Sequence, residues 1–137
     1  MLCLTVIGDR YIVEQPERDS DGNYPKTYKG DENDAGNRIY INSVIAGQSV
    51  VFGYWHLNAD TPVAINPRTS DLRPFQPGDT VKSGEIIGYV GKTGNAYNTI
   101  PHLHLYCEVN GKEIDPAVYL NATINKTLLK IITPCDK

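Results

Sequence analysis

Turn signals punctuate this chain, and no amphipathic segment between them reaches helix length. Ala46-Gly47, Gly78-Asp79, Ser83-Gly84 and Asn110-Gly111 each mark a reversal, because Gly, Asn and Asp tolerate the backbone angles that tight turns require. Gly91-Lys92-Thr93-Gly94 is a further glycine-rich turn. Apolar and polar residues alternate between such signals with the two-residue period of a strand. A chain of this kind is expected to be all-β, built from many short strands. Twelve glycines, nine prolines and nine tyrosines fit that reading, since aromatics favour strands and glycine and proline favour turns.

The expected elements follow in order. Leu4 to Val13 alternates loosely and reads as one strand carrying a turn or bulge at Gly8-Asp9. Glu14 to Asn37 is a long polar loop with a short strand around Tyr24–Tyr28. Its acidic residues lack the spacing of a calcium-binding EF-hand loop. Asn37-Arg38-Ile39-Tyr40-Ile41-Asn42 and Gln48 to Leu57 read as a hairpin pair. Asn58 to Gln76 is a second long connection, broken by Pro62, Pro67 and Pro74. Very short strands follow up to Gly91, with Ile86, Ile87, Tyr89 and Val90 supplying core. Lys112-Glu113-Ile114 returns after Asn110-Gly111, and Ala117 to Leu120 is one helical turn. Residues 1–120 form the expected domain. Residues 121–137 form a C-terminal extension, with Leu128 to Ile132 as an extra strand or a tail.

A length of 137 residues is one domain by size and suffices for a real core. A net charge of −3 gives no footprint for nucleic acid. No apolar run is long enough for a transmembrane helix, and Met1 to Ile7 lacks the basic start of a signal peptide. Cys3, Cys107 and Cys135 form no close pair and are expected as free thiols. Gly91-Lys92-Thr93-Gly94 lacks the spacing of a phosphate-binding loop.

The chemistry-bearing stretch is Pro101-His102-Leu103-His104-Leu105, which holds two of the three histidines. On a strand, residues two apart share a face, so His102 and His104 are expected side by side. Two such imidazoles can share a metal, or one can bind metal while the other handles protons. Two polar strand residues facing water would look the same. His56, at the end of the preceding long strand, taken alone would be an ordinary half-buried histidine.

The order of motifs resembles the lysostaphin/LytM-type zinc metallopeptidases, which cut peptide bonds in bacterial peptidoglycan. The resemblance rests on Tyr54-Trp55-His56-Leu57, then Gly78-Asp79-x-Val81-Lys82-x-Gly84-x-x-Ile87-Gly88, then Gly91-x-Thr93-Gly94, then Pro101-His102-Leu103-His104, then Ile114-Asp115-Pro116 with Tyr119-Leu120. It covers about Asn37 to Leu120, with Leu4–Val13 aligned to the strand before. It implies a compact antiparallel β-sandwich or barrel-like hybrid with a central groove. It implies one zinc ion with His104 as a ligand. His102 would be the general base or proton shuttle, and His56 would stabilise the transition state. Peptidoglycan peptides would be the partners, outside the cell or in the periplasm. In such a site zinc acidifies a bound water, an adjacent imidazole takes its proton, and the hydroxide attacks a polarised peptide carbonyl.

The pattern departs at one point. No histidine precedes His56, so the family's upstream H-x-x-x-D ligand pair is absent from these residues. The expectation is therefore an N-terminally truncated enzyme or a degenerate relative, binding zinc weakly or not at all. A non-catalytic wall-binding or regulatory relative is the alternative. A phosphotransfer histidine module shares the short Gly-Asp-x-Val turns and is a further alternative. A lipoyl-like carrier shares them too, but Lys82 and Lys92 lack the hairpin context of a modified lysine. A three-histidine metal site made of His56, His102 and His104 is a variant of the first reading.

Overall fold

A computed structural model of the chain describes residues 2–5, 10–14, 20–21, 35–120 and 132–134, with backbone alone for the first two segments, residue 120 and the last segment. Among these residues the strands are β1 (Leu2–Thr5), β2 (Arg10–Glu14), β3 (Ile39–Ile45), β4 (Gln48–Trp55), β5 (Thr80–Val81), β6 (Ile86–Tyr89), β7 (His104–Val109), β8 (Lys112–Glu113) and β9 (Ile132–Pro134). One four-residue helix, α1 (Ala117–Leu120), and a 3₁₀ turn at Gly94–Ala96 complete them. The fold is all-β. A six-stranded sheet has the order β5-β2-β3-β4-β7-β8, and a three-stranded sheet has the order β6-β1-β9. Every strand pairing is antiparallel.

Alternation decides which face of the large sheet is core. Ile39, Ile41, Val50, Phe52 and Tyr54 occupy every second position of β3 and β4, and all are 0% exposed. Burying each contributes roughly 1.5–3 kcal/mol. Two tight hairpins fix the register. Ala46 and Gly47 adopt φ of 50° and 78°, and Asn110 and Gly111 adopt 51° and 80°. Those paired positive angles match the right-handed twist of the strands they join.

Three expectations need correction. The segment Leu4–Val13 is not one interrupted strand: β1 and β2 belong to different sheets. Alternation was too loose there to tell a bulge from a crossover. The connection Asn58–Gln76 is more than a loop, since Val63, Ala64 and Phe75 are buried core. Val63 bridges to Gly88 and Ile65 to Pro74, and the Ala64 amide donates to the Ile87 carbonyl at 2.8 Å. Isolated apolar residues between prolines carry no period, so the sequence hid this role. Finally, His102 lies outside β7, which begins at His104. The same-face argument therefore does not explain how the two imidazoles come together.

Asp79, from the Gly78-Asp79 turn, ties this connection to the sheet. Its carboxylate accepts hydrogen bonds from both Arg73 terminal nitrogens (2.7 and 2.9 Å), Asn66 Nδ2 (3.1 Å) and the Gln76 amide (2.9 Å). The Arg73 guanidinium, foremost, holds the carboxyl well below the usual carboxylate range. Cys107 is buried and unpaired, and burial pushes its thiol up to about 11, so it stays protonated at neutral pH. The short strand around Tyr24–Tyr28, the Gly8-Asp9 turn and most of residues 121–137 fall outside the described residues, and β9 begins at Ile132.

Candidate active site

His56 follows β4 and turns the chain out of the sheet. Its φ is 60°, a left-handed angle that costs a non-glycine residue roughly 1–2 kcal/mol. Three backbone and side-chain bonds hold it there. Its amide donates to the Ala35 carbonyl at 2.9 Å, and its carbonyl accepts from the Gly91 amide at 3.0 Å. Its ring Nδ1 lies 2.8 Å from the Thr93 carbonyl oxygen. A carbonyl only accepts, so Nδ1 carries the proton and Nε2 keeps the lone pair of the neutral ring. The residue is 3% exposed.

Thr93 is the support behind this ring. Its hydroxyl donates to the Leu57 carbonyl at 2.7 Å and accepts from the Asn37 amide at 3.0 Å. Asn37 in turn donates from Nδ2 to the Asn58 carbonyl at 3.0 Å. Gly91 lies so close to this chain segment that an added Cβ would stand 2.5 Å from Asn58 Cα. Glycine is required there by close backbone approach.

His102 is exposed and held locally. Its amide donates to the Gly91 carbonyl at 3.1 Å, and its ring Nδ1 lies 2.9 Å from the Ile100 carbonyl. The same reasoning leaves its Nε2 as the lone-pair nitrogen. His104 opens β7, directly paired with Trp55 of β4. Its ring sits 4.6 Å from the Trp55 ring, centroid to centroid. Trp55 stacks on Tyr106 at 5.2 Å and donates from Nε1 to the Tyr40 hydroxyl at 3.0 Å. The Tyr106 hydroxyl donates to Glu108 at 2.7 Å, which pushes the phenol up to about 12. An aromatic row therefore backs His104 on one side.

The three histidines come together. His56 lies 5.5 Å from His102 and 5.7 Å from His104, ring centroid to ring centroid. Two of the three rings have Nδ1 committed to a backbone carbonyl, an arrangement that fixes tautomer and ring orientation. Among the described residues, however, no group of three or more His, Cys, Asp or Glu side chains is placed to hold a metal ion, and that includes the histidine trio. These donors do not fit a complete zinc centre, which needs at least three protein ligands in tetrahedral geometry. The supporting residues Thr93, Asn37 and Trp55 were not singled out as site residues from sequence. Thr93 and Trp55 lay inside quoted motifs, whereas Asn37 was read only as the start of a strand, which begins at Ile39.

Three imidazoles of this all-β domain thus gather where a strand end, a glycine-rich turn and an H-x-H segment meet. The model of peptidase family M23 matches residues 26–116, and the chain belongs to that family. It is 31% identical over 90 residues to the DD-carboxypeptidase/endopeptidase Mpg of Neisseria meningitidis serogroup B, and equally to that of Neisseria gonorrhoeae. The match takes in 66% of this chain and 16% of the length of each relative.

Proposed function

We propose that this domain binds the peptides of bacterial peptidoglycan at the three-histidine site and carries the proton-handling part of peptidase chemistry there. The observation that carries the reading is the paired anchoring of His56 and His102, each through Nδ1, with their rings 5.5 Å apart. The family and the names of the Neisseria relatives, a carboxypeptidase and endopeptidase, support a peptide substrate. That substrate places the protein's work outside the cytoplasm. Among the described residues no helix is long and apolar enough to cross a membrane.

Each imidazole has a distinct task. His102 is exposed, and its Nε2 lone pair takes a proton from a nucleophile at the site. His56, once protonated at Nε2, donates a hydrogen bond to the oxygen on which negative charge develops. His104 would be the metal ligand, as the second histidine of H-x-H. The other two family ligands have no counterpart among these 137 residues, so this chain alone binds zinc weakly and does not hydrolyse peptidoglycan.

A wall-digestion assay with and without added zinc tests this. It compares the 137-residue chain with a version carrying an upstream H-x-x-x-D segment. The short chain is expected to release no fragments, and the longer one to gain metal and activity together. In the longer version His104→Ala loses the metal, while His102→Ala keeps the metal and loses turnover. Equal release by the short chain, stopped by a chelator, overturns the account of the missing ligands. The incomplete donor set favours a second reading, a wall-binding domain without catalysis. That reading predicts peptide binding by both versions and hydrolysis by neither. Membership in a peptidase family leaves the phosphotransfer alternative without support.

A further inference from the structure

The short strand β8 covers only part of β7. Their register pairs Glu108 with Glu113 and Val109 with Lys112, and the Ile114 amide then donates to the Cys107 carbonyl at 3.0 Å. Backbone groups on an antiparallel strand turn to alternate neighbours. Cys107 therefore bonds outward, and Leu105, two residues away, also directs its amide and carbonyl away from β4. Continued in register, Leu105 would face Pro116. Proline has no amide to give, and the Pro116 carbonyl accepts from the Tyr119 amide at 3.0 Å as the chain turns into α1. Among the described residues, Leu105 thus has no backbone partner on this edge. The gap is a pocket of about 430 Å³, whose lining includes His104, Leu105, Tyr106, Glu113, Asp115 and Pro116. One imidazole of the trio is therefore part of its wall.

We propose that this free edge of β7 receives an extended peptide as an added strand, with a positively charged side chain set against Glu113. The inference rests on the peptide-binding reading above and adds how the peptide backbone is held and what it carries. Backbone is the first argument. An extended peptide offers Leu105 an amide and a carbonyl in the pattern that β8 offers its own part of β7, and bare strand edges recruit peptides in this way. Charge is the second. Glu113 is exposed and stands directly across from Glu108, and neither has an ion-pair partner among the described residues. Like charges so opposed repel. The Glu108 carboxylate accepts from the Tyr106 hydroxyl and the Asp115 carboxylate from the Ala117 amide, and neither donor is a cation. A cation supplied by the peptide relieves the repulsion, and an acidic segment adds to it. Position is the third. Glu113 shares its face with Tyr106 and His104, because directly paired residues and residues two apart on a strand point the same way. The charged residue of the peptide therefore lies next in sequence to the residue that bonds to Leu105. A strand so seated runs beside His104, whose ring is 5.7 Å from that of His56.

The test is binding, so it does not depend on metal or turnover. Hydrogen exchange on the free 137-residue chain comes first. The Leu105 amide should exchange roughly tenfold or more faster than the Tyr106 amide, which bonds to β4. Equal protection of the two would mean that the edge is already covered, and the proposal falls. Pentapeptides blocked at both ends are then titrated into the full chain by NMR. One has a central lysine and one a central norleucine. Two more keep the lysine but are N-methylated, either on the lysine itself or on both its neighbours. The lysine peptide should slow exchange at Leu105 and bind about threefold tighter than the norleucine peptide, the scale of one exposed ion pair. Glu113→Gln should erase that difference, and Glu113→Asp should keep part of it. Methylating the neighbours should abolish binding, because their amides face the edge, and methylating the lysine should not. Equal binding of lysine and norleucine, the reverse methylation pattern, or a preference that survives in Glu113→Gln overturns the proposal. Solubilised wall peptides separate it from the reading it rests on. If they shift His56 and His102 without protecting Leu105, the edge fails and the peptide-binding reading stands. If they shift none of these residues, both fail.

Discussion

His56 and His102 make the same bond in different ways. Each places Nδ1 within 2.9 Å of a backbone carbonyl, but the carbonyl that holds His56 lies 37 positions along the chain and the one that holds His102 only two. His56 is buried, turned left-handed and braced by Thr93 from a separate segment. His102 is exposed and set by the turn it belongs to. One imidazole is oriented by the whole fold and the other by its neighbours. A site built this way has one group set by long-range contacts and one set by its own turn.

The comparison breaks most sharply at the two threonines. Thr93→Val removes a buried hydroxyl and strands the Leu57 carbonyl and the Asn37 amide, at a cost of about 3 kcal/mol. Thr99→Val, beside the His102 ring, removes an exposed hydroxyl and should cost under about 0.5 kcal/mol. Urea unfolding of both variants measures the gap. Equal costs would mean that His56 is not held by the fold in the way described.

Asp79 is the intermediate case, with all its partners within 13 positions. Asp79→Asn should cost on the order of 1–2 kcal/mol at neutral pH. The folded state depresses this carboxyl, so its contribution is complete above the unfolded value near 4 and is lost as the pH falls through the lower folded value. Unfolding midpoints of wild type and variant should therefore approach one another below about pH 4. A gap that stays constant down to pH 2 would remove the carboxylate from the explanation.

The smallest effect isolates the backbone of His56. His56→Ala and His56→Gly both lose the ring and its bond to Thr93. Only the glycine also relieves the positive φ, so it should be the more stable of the two by about 1 kcal/mol. Calorimetry on the pair decides it, and an alanine variant as stable as the glycine would show that the left-handed turn carries no strain.

Local signals were enough for much of the fold. Alternation at Ile39–Tyr54 marked the central hairpin, and Ala46-Gly47 and Asn110-Gly111 marked its turn and the next, because side-chain period and turn angle are properties of adjacent residues. The order of motifs marked the family, and the three histidines it drew attention to lie near one another. The sequence reading nevertheless put His102 on a strand that starts two residues later, and it read Val63 and Phe75 as loop.

Local pattern determined the β class, the hairpins and the identity of the chemical groups. Only the tertiary structure decided that β1 leaves the large sheet, that Thr93 braces His56, and that Asn58 and Pro101 line one pocket. Those facts depend on contacts between residues far apart in the chain. Which distant segments meet is set by the burial of the whole core, not by the propensity of any stretch.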